Sequence, residues 1–275
     1  IAFLMKNNQQ LEDSITKIEH NFITYSLNEI EKTASIIDCK KNNISYFIPR
    51  SIRHKTKEYI IKSIEKGAFS HSYLNMIQFA PDSMLEIIEK EAFAFTSIKR
   101  IKIPSEVRII SENSFFECKN LEIIEIPNDS KLQTIEANAF SETNISEIYF
   151  PDSLIELEEG WCFYMNNLKR INLSPSNDHF IFKEDKYLIG KSDNKSDEFD
   201  TLLFVNRDAD EFCIPTNIKI ISSYAFSYSS IKEIFIPANI SKIGEGAFYN
   251  CYNLTKVEFP ENSNIQIIEK KTFFS

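Results

Sequence analysis

Apolar and polar positions along the chain fall into one recurring frame. Half of the frame reads "LxxIxIP", as in "IKRIKIP" (98–104), "LEIIEIP" (121–127), "ISEIYFP" (145–151) and "IKEIFIP" (231–237). The period-two alternation predicts a short strand with its isoleucines turned inward. Proline lacks an N–H to donate, so it belongs at the end of such a strand and not within it. The prolines obey that placement throughout: Pro49, Pro104, Pro127, Pro151, Pro215, Pro237 and Pro260 directly follow Ile or Phe, and Pro81 and Pro175 come one small residue later.

The other half of the frame is an apolar residue, three variable residues, a small residue and Phe. It occurs as "IEKGAF" (64–69), "IEKEAF" (88–93), "ISENSF" (110–115), "IEANAF" (135–140), "ISSYAF" (221–226), "IGEGAF" (243–248) and "IEKKTF" (268–273). An eighth copy, "LEEGWC" (157–162), puts Trp161 in the small slot and Cys162 in the Phe slot, which conserves core volume while moving the bulk by one position. Neighbouring Phe slots lie 22 to 25 residues apart, except across the longer gap from Cys162 to Phe226. That period falls in the leucine-rich-repeat range of about 20 to 29 residues. Length alone suggests about two domains, but stacked repeats make one elongated domain of this size.

The expected fold is therefore a strand-rich leucine-rich-repeat solenoid, with a parallel β-sheet on one face and short strands, turns or helical segments elsewhere. Residues 1–20 have helix-like spacing at Leu11, Ile15 and Ile18 and read as a leading helix or tail. Residues 21–275 read as the solenoid: an N-terminal hairpin cap and joining segment (21–63), repeats (64–175), a strand-rich insertion (176–214) and further repeats (215–275). In the insertion the runs "HFIF", "KYLIG" and "TLLFV" are the expected strands. Glycine is sparse, with Gly160 and Gly244 read as the turn markers. The stack is expected to continue beyond Ser275, because a last repeat without a polar cap exposes its core.

The pattern "IPxxIxxIGxxAFxxCxxLxxVxFP" of residues 236–260 resembles the BspA-like leucine-rich repeats of surface proteins from mucosal bacteria and parasitic protists. The resemblance implies a surface antigen at the cell surface or secreted, with a role in cell adhesion to host cells, extracellular matrix or other microbes. It does not rest on composition. An intracellular scaffold or regulatory protein of the same architecture is the alternative.

The outward positions of the strands form the expected protein-binding face. They are the third and fifth residues of each "LxxIxI": Met76 and Gln78, Arg100 and Lys102, Ile123 and Glu125, Glu147 and Tyr149, Arg170 and Asn172, Glu233 and Phe235, Lys256 and Glu258. This row varies from copy to copy while the inward row repeats, and its Tyr, Phe and Arg content matches interface composition.

Net charge is -9, from 31 basic and 40 acidic side chains, which argues against a broad attraction to nucleic acid or anionic lipid. There is no apolar run approaching the roughly 20 residues that span a bilayer, so no direct membrane insertion is expected within this segment. The five cysteines form no CxxC pair, and Cys118 and Cys251, both three residues after a core Phe, read as buried thiols. His20, His54, His71 and His179 are isolated in sequence. Asp193, Asp197 and Asp200 lack the glycine and terminal Glu of an EF-hand loop and read as a solvated turn. Seven Asn-x-Ser/Thr sequons, at Asn43, Asn128, Asn144, Asn172, Asn194, Asn239 and Asn253, permit glycosylation without requiring it. The sequence thus points to a non-enzymatic binding module with no catalytic, metal or cofactor site.

Overall fold

The computed structural model describes residues 15–193 and 195–275, which contain strands and turns and no helix. The chain opens with β1 (Ile15–His20), β2 (Ile23–Asn28), β3 (Thr33–Cys39), β4 (Ser45–Ile48), β5 (Ser51–His54) and β6 (Lys57–Ile64). Strands β1, β2 and β3 form an antiparallel meander, β3 pairs parallel with β6, and β5 folds back on β6. Residues 15–20 are thus a strand and not the end of a leading helix. Thr16 and Ile18 are half-buried while Lys17 and Glu19 are exposed, and Asn21 and Phe22, at φ 49° and 64°, close a two-residue hairpin onto β2. Pairing with an available strand edge outweighs the apolar spacing at Ile15 and Ile18, in a stretch already rich in β-branched residues. The remainder of that expectation, residues 1–14, lies outside the described residues.

From there the chain winds in coils. Each carries one strand from the "LxxIxI" half of the frame and one two-residue strand just before the Phe turn. In chain order these are β7 (Met76–Phe79), β8 (Ile87–Ile88), β9 (Arg100–Lys102), β10 (Ile109–Ile110), β11 (Ile123–Glu125), β12 (Thr134–Ile135), β13 (Glu147–Phe150), β14 (Glu156–Leu157) and β15 (Arg170–Leu173). The short strands continue the cap sheet in parallel, in the order β6, β8, β10, β12, β14. The face strands stack beside one another on another side of the coil, β4 on β7, β9 on β11 and β13 on β15.

The third side is the Phe turn, and it too is a ladder. The N–H of Phe69 donates to Ala92 O, that of Phe93 to Ser114 O and that of Phe115 to Ala139 O, each at 2.8 Å. Residues two before and two after Phe69, Phe93, Phe115, Phe140, Phe226 and Phe248 take left-handed conformations, as Glu91 and Phe95 do around Phe93 and Asn113 and Glu117 around Phe115. Except at the Phe140 turn, their own N–H groups join the ladder, as Glu91 N does to Glu112 O and Phe95 N to Phe116 O. For residues with a Cβ this conformation costs roughly 1–2 kcal/mol each, and the bonds to the next coil offset it. Few glycines are therefore needed. Of the two expected turn markers Gly160 is left-handed, at φ 82°, whereas Gly244 is not, and serves because a Cβ there would lie 2.5 Å from Ser223 N.

Inside the coils the phenyl rings stack face to face. Phe69, Phe93, Phe115 and Phe140 follow one another at centroid distances of 5.2, 5.2 and 5.5 Å, tilted by no more than 16°. Phe226, Phe248 and Phe273 repeat this at 4.7 and 5.3 Å. Cys118 and Cys251 lie beside the stack, each with its Sγ against the carbonyl of the previous coil's core Phe, Phe93 at 3.1 Å and Phe226 at 3.0 Å. Burial pushes the Cys118 thiol up to about 11, so it stays protonated and donates.

Between the two phenyl stacks sits the insertion, β16 (Phe180–Lys183), β17 (Tyr187–Gly190) and β18 (Thr201–Val205), followed by β19 (Ile220–Ile221), β20 (Glu233–Phe235), β21 (Lys242–Ile243), β22 (Lys256–Glu258) and β23 (Ile267–Ile268). Strands β16, β17 and β18 are antiparallel, and β18 then starts a second parallel sheet with β19, β21 and β23. Every residue of β17 and β18 is buried. Leu188 and Phe204 pack into the N-terminal core, and Ile189, Leu202 and Val205 into the C-terminal one. Unbroken apolar runs such as "TLLFV" are what two-sided burial requires.

Arg207 fastens this junction. It is buried, yet no carboxylate meets it among the described residues; its guanidinium donates to Ala225 O (2.8 Å), Val205 O (3.3 Å) and Cys162 O (3.3 Å) and lies 4.6 Å over the Phe204 ring. One side chain thereby ties together the insertion, the Cys162 coil and the Phe226 coil. Trp161, fully buried, contacts Phe150 and Phe204 at the same place.

Two predictions follow from these contacts. Gly67→Ala, at φ 66° with the new methyl in ordinary contact with Ser70 Cβ at 3.9 Å, should cost about 1 kcal/mol in urea unfolding, and Gly244→Ala distinctly more; equal costs would show that the Ser223 turn moves aside. Arg207→Met removes the guanidinium that links Val205 O, Ala225 O and Cys162 O and should lower stability by about 1–3 kcal/mol. Because Trp161 is the sole tryptophan, its fluorescence should then change at lower urea than the circular dichroism does, whereas the two transitions should coincide in the parent chain.

Candidate protein-binding face

Apolar side chains on alternate positions hold each face strand to the core, so their neighbours must point outward. Ile77, Ile101, Ile124, Ile148, Ile171 and Ile234 are buried, and between them Met76, Gln78, Arg100, Lys102, Ile123, Glu125, Glu147, Arg170, Asn172, Glu233, Phe235, Lys256 and Glu258 are exposed. Tyr149 is half-buried, packed partly against the core.

Strand register arranges these residues in two rows. Arg100 is opposite Ile123 and Lys102 opposite Glu125; Glu147 is opposite Arg170 and Tyr149 opposite Asn172; Glu233 is opposite Lys256 and Phe235 opposite Glu258. Opposite charges therefore meet at three of these six pairings, which favours the parallel register. Arg100 Nε reaches Glu125 Oε1 at 3.5 Å, Lys256 Nζ reaches Glu258 Oε1 at 2.8 Å, and Asn172 donates to Glu147. The Glu258 carboxylate holds the Lys256 amine above its usual range. Exposed pairs of this kind contribute only about 0–1 kcal/mol, so a partner can exchange them at little cost.

The fold adds residues that the repeat frame did not supply. Strand β4 stacks on β7 with Ser45 opposite Met76 and Phe47 opposite Gln78, which places exposed Phe47 in the face. The proline closing "SYFIP" at Pro49 was the available signal, hidden because that strand lies in the cap. At the junction the face is interrupted. Residues 206–210 run between β15 and β20, with Ser230 N donating to Arg207 O, Asn206 Nδ2 donating to Lys169 O, and Asp208 paired with Lys169 at 2.7 Å. Exposed Asp208, Asp210 and Glu211 make this stretch acidic.

Elsewhere the four histidines are dispersed, while Tyr164, Tyr224, Tyr228 and Tyr249 cluster and Lys242 bridges Glu159 and Glu269. His71 stacks on Phe95 at 4.2 Å and His179 lies beside Asp178, while His20 and His54 sit on β1 and β5. The Asp200 carboxylate is buried and accepts from both the N–H and the hydroxyl of Ser192, which closes the base of the loop that follows β17. Among the described residues no group of three or more His, Cys, Asp or Glu side chains is placed to hold a metal ion. All five cysteines are free, with Cys213 exposed and the other four buried. No helix among the described residues is long and apolar enough to cross a membrane.

The family model for the BspA type leucine-rich repeat region matches in six copies, over residues 5–108, 86–184 and 197–275. No curated protein matches the chain. Among solved structures, the pneumococcal vaccine antigen PcpA superposes with a TM-score of 0.77 at 20% identity, over 90% of this chain and 71% of that one. A leucine-rich cell surface protein from Faecalibacterium prausnitzii A2-165 gives 0.62 at 20% identity, over 90% and 77% of the two chains. A leucine-rich repeat protein from Eubacterium ventriosum gives 0.56 at 17%, over 92% and 73%. At these identities the likeness is one of fold, and the repeat match supplies the family. The chain belongs to the BspA-type leucine-rich repeat family.

Proposed function

We propose that this chain is a non-enzymatic protein-binding module of a secreted or surface-displayed antigen, and that it attaches its bearer to host cells, extracellular matrix or other microbes through the face strands. The observation that carries the reading is the contrast between the rows: the inward isoleucines repeat, while the outward residues change from coil to coil on a scaffold of nearly constant geometry. A surface that varies on a fixed frame suits selection for a partner, and Arg170, Tyr149 and Phe235 are the residue types that dominate protein interfaces. The structural likeness to a vaccine antigen and to a cell surface protein supports the location.

The free cysteines favour a second reading, an intracellular scaffold using the same face, since reduced thiols are the rule in the cytosol. Antibody staining of intact, unpermeabilised cells separates the two. Under the surface reading the signal is present and disappears after surface proteolysis; staining only after permeabilisation selects the scaffold. On host-cell monolayers, labelled chain carrying Arg100→Ala, Tyr149→Ala, Arg170→Ala and Phe235→Ala together should bind more than about tenfold more weakly with its circular dichroism unchanged. Undiminished binding would remove the face from the mechanism.

A further inference from the structure

The face is not uniform, and its first two coils differ from the rest. Ile44, Phe47, Tyr73 and Met76 are 56%, 60%, 71% and 49% exposed. They belong to β4, β7 and the turns leading into them, which are held together by the bonds from Tyr73 N to Lys41 O and from Asn75 N to Ile44 O. Single exposed apolar residues need no explanation, but several large ones on adjacent strands form a patch.

The next strand is basic. Lys99, Arg100 and Lys102 follow one another around β9, in a chain whose net charge is -9. Arg100 engages Glu125, whereas Lys99 and Lys102 have no carboxylate within 4 Å among the described residues. Glu122 and Glu125 border β9 on its far side, and the side toward Met76 and Gln78 carries no acid on β7.

We propose that this end of the face is the anchoring site for an acidic segment of a partner protein that carries a large apolar side chain. The apolar residue covers Phe47 and Met76, and its neighbouring carboxylates meet Lys99 and Lys102. This rests on the reading of the face as a binding surface and assigns the chemistry of its partner. Apolar anchors with complementary charge at the rim are the usual division between affinity and steering.

Panning a phage-displayed library of random peptides, each about a dozen residues long, against the full chain tests the assignment. Selected peptides should combine Asp or Glu with Leu, Ile, Phe or Trp, and should bind more weakly as salt is raised. Phe47→Ala and Met76→Ala should each weaken them about tenfold or more, and Lys99→Glu with Lys102→Glu comparably, with circular dichroism unchanged. Peptides without acidic enrichment, or peptides that survive these substitutions and respond to Arg170→Ala and Phe235→Ala, would overturn the anchor and leave the face reading intact. Failure to select any peptide would count against both. Two further results would also overturn it by naming another occupant: a dimer in sedimentation that dissociates on Met76→Asp, or peptide binding that tightens when Phe3→Ser and Leu4→Ser are introduced into the chain's own N-terminal segment.

Discussion

A single coil of this chain cannot satisfy its own backbone. Its short strand, its face strand and its Phe turn all direct N–H groups at carbonyls of a neighbouring coil, and its phenyl ring has a flat side that only another ring covers. Stability is therefore a property of neighbouring pairs, summed along the stack. The cost of left-handed conformations at Glu91, Asn113 and Tyr224 is tolerable for the same reason, because each allows its N–H to meet the next coil.

The junction shows what happens where that rule is interrupted. A two-strand hairpin with apolar residues on both faces fills the place of regular coils, and Trp161 and Phe204 replace the stacked phenyls. Carbonyls from three segments converge on one buried guanidinium at the irregular contact, and two of them, Ala225 O and Cys162 O, also accept a backbone N–H. Arg207 is suited to this because its fork of donors reaches several carbonyls at once, where Lys would offer a single point.

The binding face inherits its character from the same frame. Since the inward positions are committed to packing and the ladders to stacking, the outward side chains are the part of each coil free to change without loss of the fold. The result is a row in which internal ion pairs are weak and replaceable. The apolar and basic end contributed by β4, β7 and β9 stands apart from the acidic stretch at residues 208–211.

Much of this was legible in the sequence because the repeat imposes one local answer many times. Proline placement located the strand ends except at Pro215, which no strand precedes; the Ile-to-Phe spacing located the turns, and alternation sorted inward from outward residues at β7, β9, β11, β13, β15, β20 and β22. Contacts between segments without that periodicity were not legible. Ile15 and Ile18 have the spacing of a helix and become a strand because β2 offers an edge; Phe47 joins the face because β4 stacks on β7; Arg207 finds its carbonyls across 45 residues of chain. Periodicity encodes what each unit does to an identical neighbour, whereas the ends and the junction depend on which unlike surfaces meet, and only the tertiary structure decides that.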